Sequence, residues 1–139
     1  MRIMAFDYGT KRVGIAVTDP LQLIANALTT IHPEHVWTYL TDYLKQEAVE
    51  TFVVGMPLQM DGTPSQSTPH IRGFVRKLKR TYPDIAVETM DERFTSKMAT
   101  ASILASGAKQ KQRRDKALVD AVSATLILQS YMEKRELSG

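Results

Sequence analysis

Short apolar runs, separated first by a tight turn and then by helix-length segments, constrain this chain more than any other feature. Residues 2–6 are mostly apolar and stop at Asp7. Apolar residues on both faces of a short run predict a strand covered on both sides. Tyr8-Gly9-Thr10-Lys11 has turn composition, and residues 13–18 form a second strand-like run, so the pair predicts a β-hairpin. Residues 27–31 add a third strand. From His35 to Ala48 the period changes, with Val36, Tyr39, Leu40, Tyr43 and Leu44 at helical spacing. Residues 51–55 then read as a short buried strand. A strand that follows a helix in this way predicts a parallel crossover.

Met56 to Thr68 holds Pro57, Asp61, Gly62 and Pro64 and reads as a loop. A basic helix is predicted over 69–81, with Ile71, Phe74, Val75 and Leu78 as its apolar side. Pro83 and Asp84 end it, and residues 85–90 form a further strand that runs into Asp91-Glu92-Arg93. Thr95 is a good N-cap for a helix to about Ser106, which Gly107 can end. Residues 107–114 are polar and basic, and a last helix is predicted over 115–135. A hairpin meander followed by alternating helices and strands implies an α/β fold. Its mixed central sheet combines antiparallel and parallel strands and is flanked by helices. A length of 139 residues suits one domain spanning 1–139.

Composition narrows the chemistry. There is no cysteine, which removes disulfides, thiolate metal sites and cysteine nucleophiles. A metal would have to be held by oxygen atoms or by one of three histidines. No run of about 18 apolar residues exists, so no membrane span is expected. The first residues lack the pattern of a secretory signal, and a cytoplasmic location is the expectation. The net charge is only +3, but the basic residues are grouped. Arg72, Arg76, Lys77, Lys79 and Arg80 form one cluster, and Lys109, Lys111, Arg113, Arg114 and Lys116 another. Such surfaces attract phosphates and make binding salt-dependent, although either run alone is also what a solvated face looks like.

The acids stand where chemistry is usual in this architecture. Asp7 closes one apolar strand and Glu92 follows another, and ligands of open α/β sheets gather beyond the C-terminal ends of strands. An Asx turn at Asp7, and surface pairing of Asp91 and Glu92 with Arg93, are the alternatives. Asp120 lies in a helix that is apolar nearly all round and is predicted to be largely buried. A buried carboxylate needs a partner or a metal, and a salt bridge to Lys116 or to an arginine elsewhere is the competing expectation. Converging carboxylates repel, and a divalent cation relieves this through oxygen ligation. Mg²⁺ or Mn²⁺ suits an all-oxygen set better than zinc. One or two ions are compatible with three acids. A pair about 4 Å apart would activate water and stabilise the leaving oxygen of a phosphodiester.

Four blocks carry a family resemblance. Asp7-Tyr8-Gly9-Thr10-Lys11-Arg12-Val13-Gly14 resembles the opening motif of the YqgF/RuvX family. Val54-Gly55-Met56-Pro57 with Met60-Asp61-Gly62 resembles its second motif, and Asp91-Glu92-Arg93-Phe94-Thr95 its third. Val119-Asp120-Ala121, running on to Tyr131, resembles its last. The blocks occur in the family's order and cover nearly the whole chain. The resemblance implies an RNase H-like fold related to Holliday-junction resolvases. It further implies a bacterial cytoplasmic nuclease acting in 5′-end maturation of pre-16S ribosomal RNA. By motif, Asp7, Glu92 and Asp120 would be the catalytic, metal-binding acids, with Asp91 a fourth candidate. Gly55 stands where resolvases of the superfamily have a glutamate, which makes Glu92 the replacement.

Lys11, Arg12 and Arg93 are close enough in motif to contact phosphates, for which arginine offers bidentate geometry. The helix around Arg76 and the segment with Arg113 and Arg114 would hold the backbone of structured RNA or branched DNA. Tyr8 and Phe94 are the aromatics near the motifs, and both are expected in the core or rim rather than as stacking platforms. Four other readings stand beside the ribosomal RNA nuclease. They are a Holliday-junction resolvase, a non-catalytic nucleic-acid-binding module, an assembly factor using the same face, and one lobe of an actin-like ATPase. A monomer and a homodimer are both compatible with the sequence.

Overall fold

The computed structural model describes residues 1–56, 68–91 and 116–138, apart from the side chains at positions 91, 116–121 and 136–138. Of the loop expected over Met56–Thr68, Met56 ends a strand and Thr68 opens a helix, while 57–67 lie outside the described residues, as do the expected Thr95–Ser106 helix and Glu92, Arg93, Arg113 and Arg114.

Five strands form one sheet: β1 (Arg2–Tyr8), β2 (Val13–Thr18), β3 (Ala25–Ile31), β4 (Val49–Met56) and β5 (Ala86–Asp91). Their spatial order is β3-β2-β1-β4-β5. β1 is central, antiparallel to β2 and parallel to β4, and β5 is parallel to β4. The mixed sheet expected from the apolar runs is therefore present. The central strands are apolar on both faces because both faces are covered, as a strand in parallel pairing requires.

Side chains alternate across a strand, so each of these strands feeds two cores. Met4, Phe6, Phe52 and Val54 join Val36, Leu40, Ile71, Phe74 and Leu78 in the larger one. That core is covered by α1 (Val36–Gln46) and α2 (Thr68–Thr81). Its centre is aromatic: Phe6 meets Phe52 and Phe74 edge-on at 5.5 and 5.3 Å between ring centroids. On the other face, Ile3, Ala5, Ala16 and Val53 pack with Ala124, Ile127 and Leu128 of α3 (Lys116–Ser138). Small residues on this sheet face let the helix sit close. Each large side chain fully buried in this way contributes about 1.5–3 kcal/mol.

Element ends follow local chemistry. A single 3-10 turn, Pro33–His35, precedes α1, with His32 Nδ1 accepting the Glu34 amide at 3.1 Å. α1 stops at Gln46, where Glu47 turns extended, two residues short of the expected end. Asp19 closes the β2–β3 turn by accepting three amides, those of Leu21, Leu23 and Ile24. These bonds, above all that from Ile24, hold its carboxyl below the ordinary value of 3.8 despite the opposing effect of desolvation.

Over 122–128, the described side chains of the apolar stretch of α3 are buried or half-buried, as expected of a largely buried stretch. Ser123, Ala124, Ile127 and Leu128 are buried, whereas Gln129, Ser130, Glu133, Lys134 and Arg135 are exposed and Val122 and Leu126 are half-buried. The helix lies on one sheet face, and among the described elements nothing covers its outer side. No described helix is long and apolar enough to cross a membrane.

Candidate active site

The parallel strands β1, β4 and β5 end together, at Tyr8, Met56 and Asp91, and so define one edge of the sheet. Asp7 is at this edge and is half-buried. Its parity with Ile3 and Ala5 sets it on the face that α3 covers. On β2 it is paired with Gly14. On β4, one step beyond the Phe6–Val54 pair brings it level with Gly55, which is itself level with Met90 of β5. Asp7 thus has a glycine on each side within the sheet. The strand neighbours that would ordinarily crowd its carboxylate carry no side chain.

The direction of α3 brings its start to the same edge. At its far end Arg135 donates to Gln22 Oε1 at 2.9 Å and lies 3.6 Å from Glu50, which belongs to the opposite, N-terminal end of β4. Gln22 in turn donates to Glu50 and to the Met1 carbonyl. Midway, Tyr131 donates to Glu88 of β5, and burial first, then this bond, pushes the phenol up to about 12. The helix therefore runs antiparallel to β1, and Asp120, its fifth residue, lies one turn before the buried Ala124, on the Asp7 side.

The turn after Asp7 is tight. The Gly9 amide donates to the Arg12 carbonyl at 2.8 Å, and a Cβ at Gly9 would meet that same oxygen at 2.9 Å. A side chain there would press on backbone, so the turn needs glycine. It presents exposed Lys11 and half-buried Arg12 just beyond Asp7. Tyr8 points to the other face and stacks on Phe74, with centroids 4.5 Å apart, in keeping with the expected core or rim role.

On the α2 side of the edge a cleft of about 450 Å³ is lined by Met56, Arg72, Val75, Arg76 and Thr89. Arg76 was among the residues expected to contact nucleic acid. Arg72, one helical turn away, stood only in the basic cluster, although its spacing from Arg76 was the available signal. Met56, Val75 and Thr89 come from three elements and have no local signature of a shared cleft. Among the described residues no three metal-ligating side chains cluster. Of the expected acids, Asp7 alone has a described side chain; Asp91 ends β5 as backbone.

The profile of the family described as "RuvX: Holliday junction resolvase" matches residues 1–134. The chain belongs to the RuvX (YqgF) family. A relative from Flavobacterium psychrophilum, named "Putative pre-16S rRNA nuclease", is 54% identical over 134 residues, covering 96% of this chain and 98% of its own. The fold is shared more widely. A Fowlpox virus resolvase, solved with Holliday junction DNA, superposes with a TM-score of 0.60 at 14% identity, covering 96% of this chain and 98% of its own. Thermus thermophilus RuvC, also solved with a Holliday junction substrate, gives 0.54 at 16% identity over 95% of this chain and 96% of its own. The architecture of this RuvX-family chain is that of the RuvC-like resolvases, an RNase H-like fold.

Proposed function

We propose that this chain is a divalent-cation-dependent nuclease that cuts phosphodiester bonds in 5′-end maturation of pre-16S ribosomal RNA, with Asp7, Glu92 and Asp120 as its catalytic, metal-holding acids. Hydrolysis of nucleic-acid ester bonds follows from membership of the family and from the names of relatives at about half identity. The observation that carries the site is Asp7 between Gly14 and Gly55, at the edge where the parallel strands end. Among the described strand residues, the two glycines put no side chain beside this half-buried carboxylate.

Geometry supports adding Asp120, and motif position adds Glu92. Steps of two residues along β1, from Ile3 to Ala5 to Asp7, advance about 6.6 Å each. Steps of four residues back along α3, from Leu128 to Ala124 to Asp120, advance about 6.0 Å each. Leu128 and Ala124 share one core with Ile3 and Ala5, so the matching strides carry Asp120 towards Asp7. On β5, Glu88 meets α3 through Tyr131 and Met90 packs on the same core. Glu92 follows directly on the end of β5 in sequence. The motif resemblance is what favours Glu92 over Asp91.

The donor set is all oxygen, which fits Mg²⁺ or Mn²⁺. When bound, the ion supplies charge to the phosphodiester and lowers the pKa of water. The chain's own residues position the substrate. Lys11 and Arg12 stand at the turn beyond Asp7, with Arg93 adjacent in sequence to Glu92. The five exposed cations of α2, and Arg113 with Arg114, bind the backbone without reading bases.

Ribosomal RNA is preferred over branched DNA because the half-identical relatives are named for it, whereas the solved junction complexes share only the fold. The family description keeps junction cleavage as the second reading. The deciding assay offers the purified chain a structured RNA carrying the 16S 5′ leader and a four-way DNA junction, each with Mg²⁺, Mn²⁺ or EDTA. Metal-dependent cleavage of the RNA is expected. Binding without cleavage of either substrate would refute the nuclease reading.

A further inference from the structure

The α2-side cleft lies at the same sheet edge as Asp7 but on the opposite face, so it is separate from the acid site. Its composition is unusual for a surface groove. Arg72 and Arg76 are both exposed, one helical turn apart on a helix with no acidic residue. Like charges at this spacing repel. No acidic partner for either is found among the described residues. Beneath them the lining turns apolar, with Val75 at 9% exposure and Met56 half-buried, and Thr89 brings a hydroxyl from β5. Two guanidiniums over an apolar floor match the two halves of one ligand class. A phosphate takes the arginines through charge-assisted bonds. A flat base lies on the apolar floor or against a guanidinium plane.

We propose that this cleft binds a single unpaired nucleotide as a nucleoside phosphate unit, with Arg72 and Arg76 on the phosphate and Met56 and Val75 against the base. The inference rests on the nuclease reading only for the origin of that nucleotide, a substrate strand bent over the sheet edge. The distances permit it. Met56 is on the strand next to Asp7, about 4.8 Å away laterally, and one residue further along. A nucleotide in the cleft is then a near neighbour of the phosphate at the acid edge. A paired base presents its edge and backbone but cannot enter, so the cleft favours substrates with a single-stranded segment beside the cut.

The test compares two double variants of the full chain, R72Q/R76Q in the cleft and K79Q/R80Q at the other end of α2. Both remove two exposed charges. Affinity is measured by fluorescence anisotropy at one salt concentration, with labelled single-stranded RNA and a blunt RNA duplex, in EDTA. R72Q/R76Q is expected to weaken single-strand binding about tenfold more than K79Q/R80Q does, the worth of one charge-assisted hydrogen bond. On the duplex the two variants should behave alike. Adenosine monophosphate added as competitor separates the sources. Displacement of labelled strand from wild type only means that a free nucleotide suffices, and no displacement means that the cleft needs the continuous strand. Equal losses for both variants on both probes would overturn the cleft. Wild-type cleavage with Mg²⁺ is assayed alongside: cleavage with equal losses ends the cleft alone, and absence of both cleavage and binding ends the nuclease reading with it.

Discussion

Replacing Phe74 with alanine tests the largest packing claim and its tie to the sheet edge. Phe74 projects from α2 into the main core and is 5% exposed. Its ring meets Phe6 at 5.3 Å, Tyr8 at 4.5 Å and Trp37 at 5.5 Å. Truncating a buried phenylalanine costs about 3–5 kcal/mol, from lost transfer energy and the cavity left behind. The three ring partners belong to two elements, β1 and α1, so the gap cannot close by moving one side chain. The upper half of that range, about 4 kcal/mol, is expected. With a urea slope of about 2 kcal/mol per molar, the midpoint falls by about 2 M. The melting temperature falls by roughly 12 °C. A domain of ordinary stability, about 5–15 kcal/mol, survives this and can still be assayed. Phe74→Leu keeps part of the volume and should cost about 1–2 kcal/mol. Cleavage measured where both variants are folded should fall further for alanine than for leucine, because Tyr8, next to Asp7, loses the ring it stacks on. A loss below about 1 kcal/mol for alanine would refute the packing described for this core.

Three further outcomes follow from the site. Asp7→Asn should leave the urea midpoint nearly unchanged while lowering Mg²⁺-dependent cleavage by at least about 100-fold, beyond the about 10–100-fold typical of losing an outer-shell partner. Asp120→Asn, assayed on structured RNA and on branched DNA with Mg²⁺ or Mn²⁺, should lose activity to a similar extent; full activity would remove Asp120 from the mechanism. Tyr131→Phe tests the Glu88 bond through pH. The folded phenol is raised from 10.0 to about 12, so its contribution is complete below pH 10 and is lost as pH rises towards 12. Chemical unfolding between those limits should show a stability decline in the parent chain that is flatter in the variant.

Much of this architecture is legible in the amino-acid pattern, and the exceptions have physical causes. The hairpin, the parallel crossover and the basic helix follow from period and turn chemistry, and each is present within a residue or two. The strand order is different, because periodicity does not say which strands pair. That β1 becomes central depends on β4 returning beside it, a long-range event. α3 shows what composition does tell: its apolar stretch is buried or half-buried over 122–128, while the polar residues after it are exposed. At the site, motif spacing singled out Asp7, but the two glycines flanking it became neighbours only through register. Nothing in the string of residues 14, 7 and 55 announces adjacency. The Arg72–Arg76 cleft was half visible, since helix spacing pairs the arginines and Val75 sits beside them, while Met56 and Thr89 come from two other segments.

The placement of α3 carries a consequence for synthesis. Among the described elements it is the cover over Ile3, Ala5, Ala16 and Val53, and the ribosome delivers it after every strand. A nascent chain shorter than this helix exposes a greasy sheet surface and is a natural client for chaperones. Under the proposed roles it also lacks one of its acids, so cutting power switches on only when translation has passed residue 120. A nuclease made beside RNA would thereby stay harmless until α3 docks.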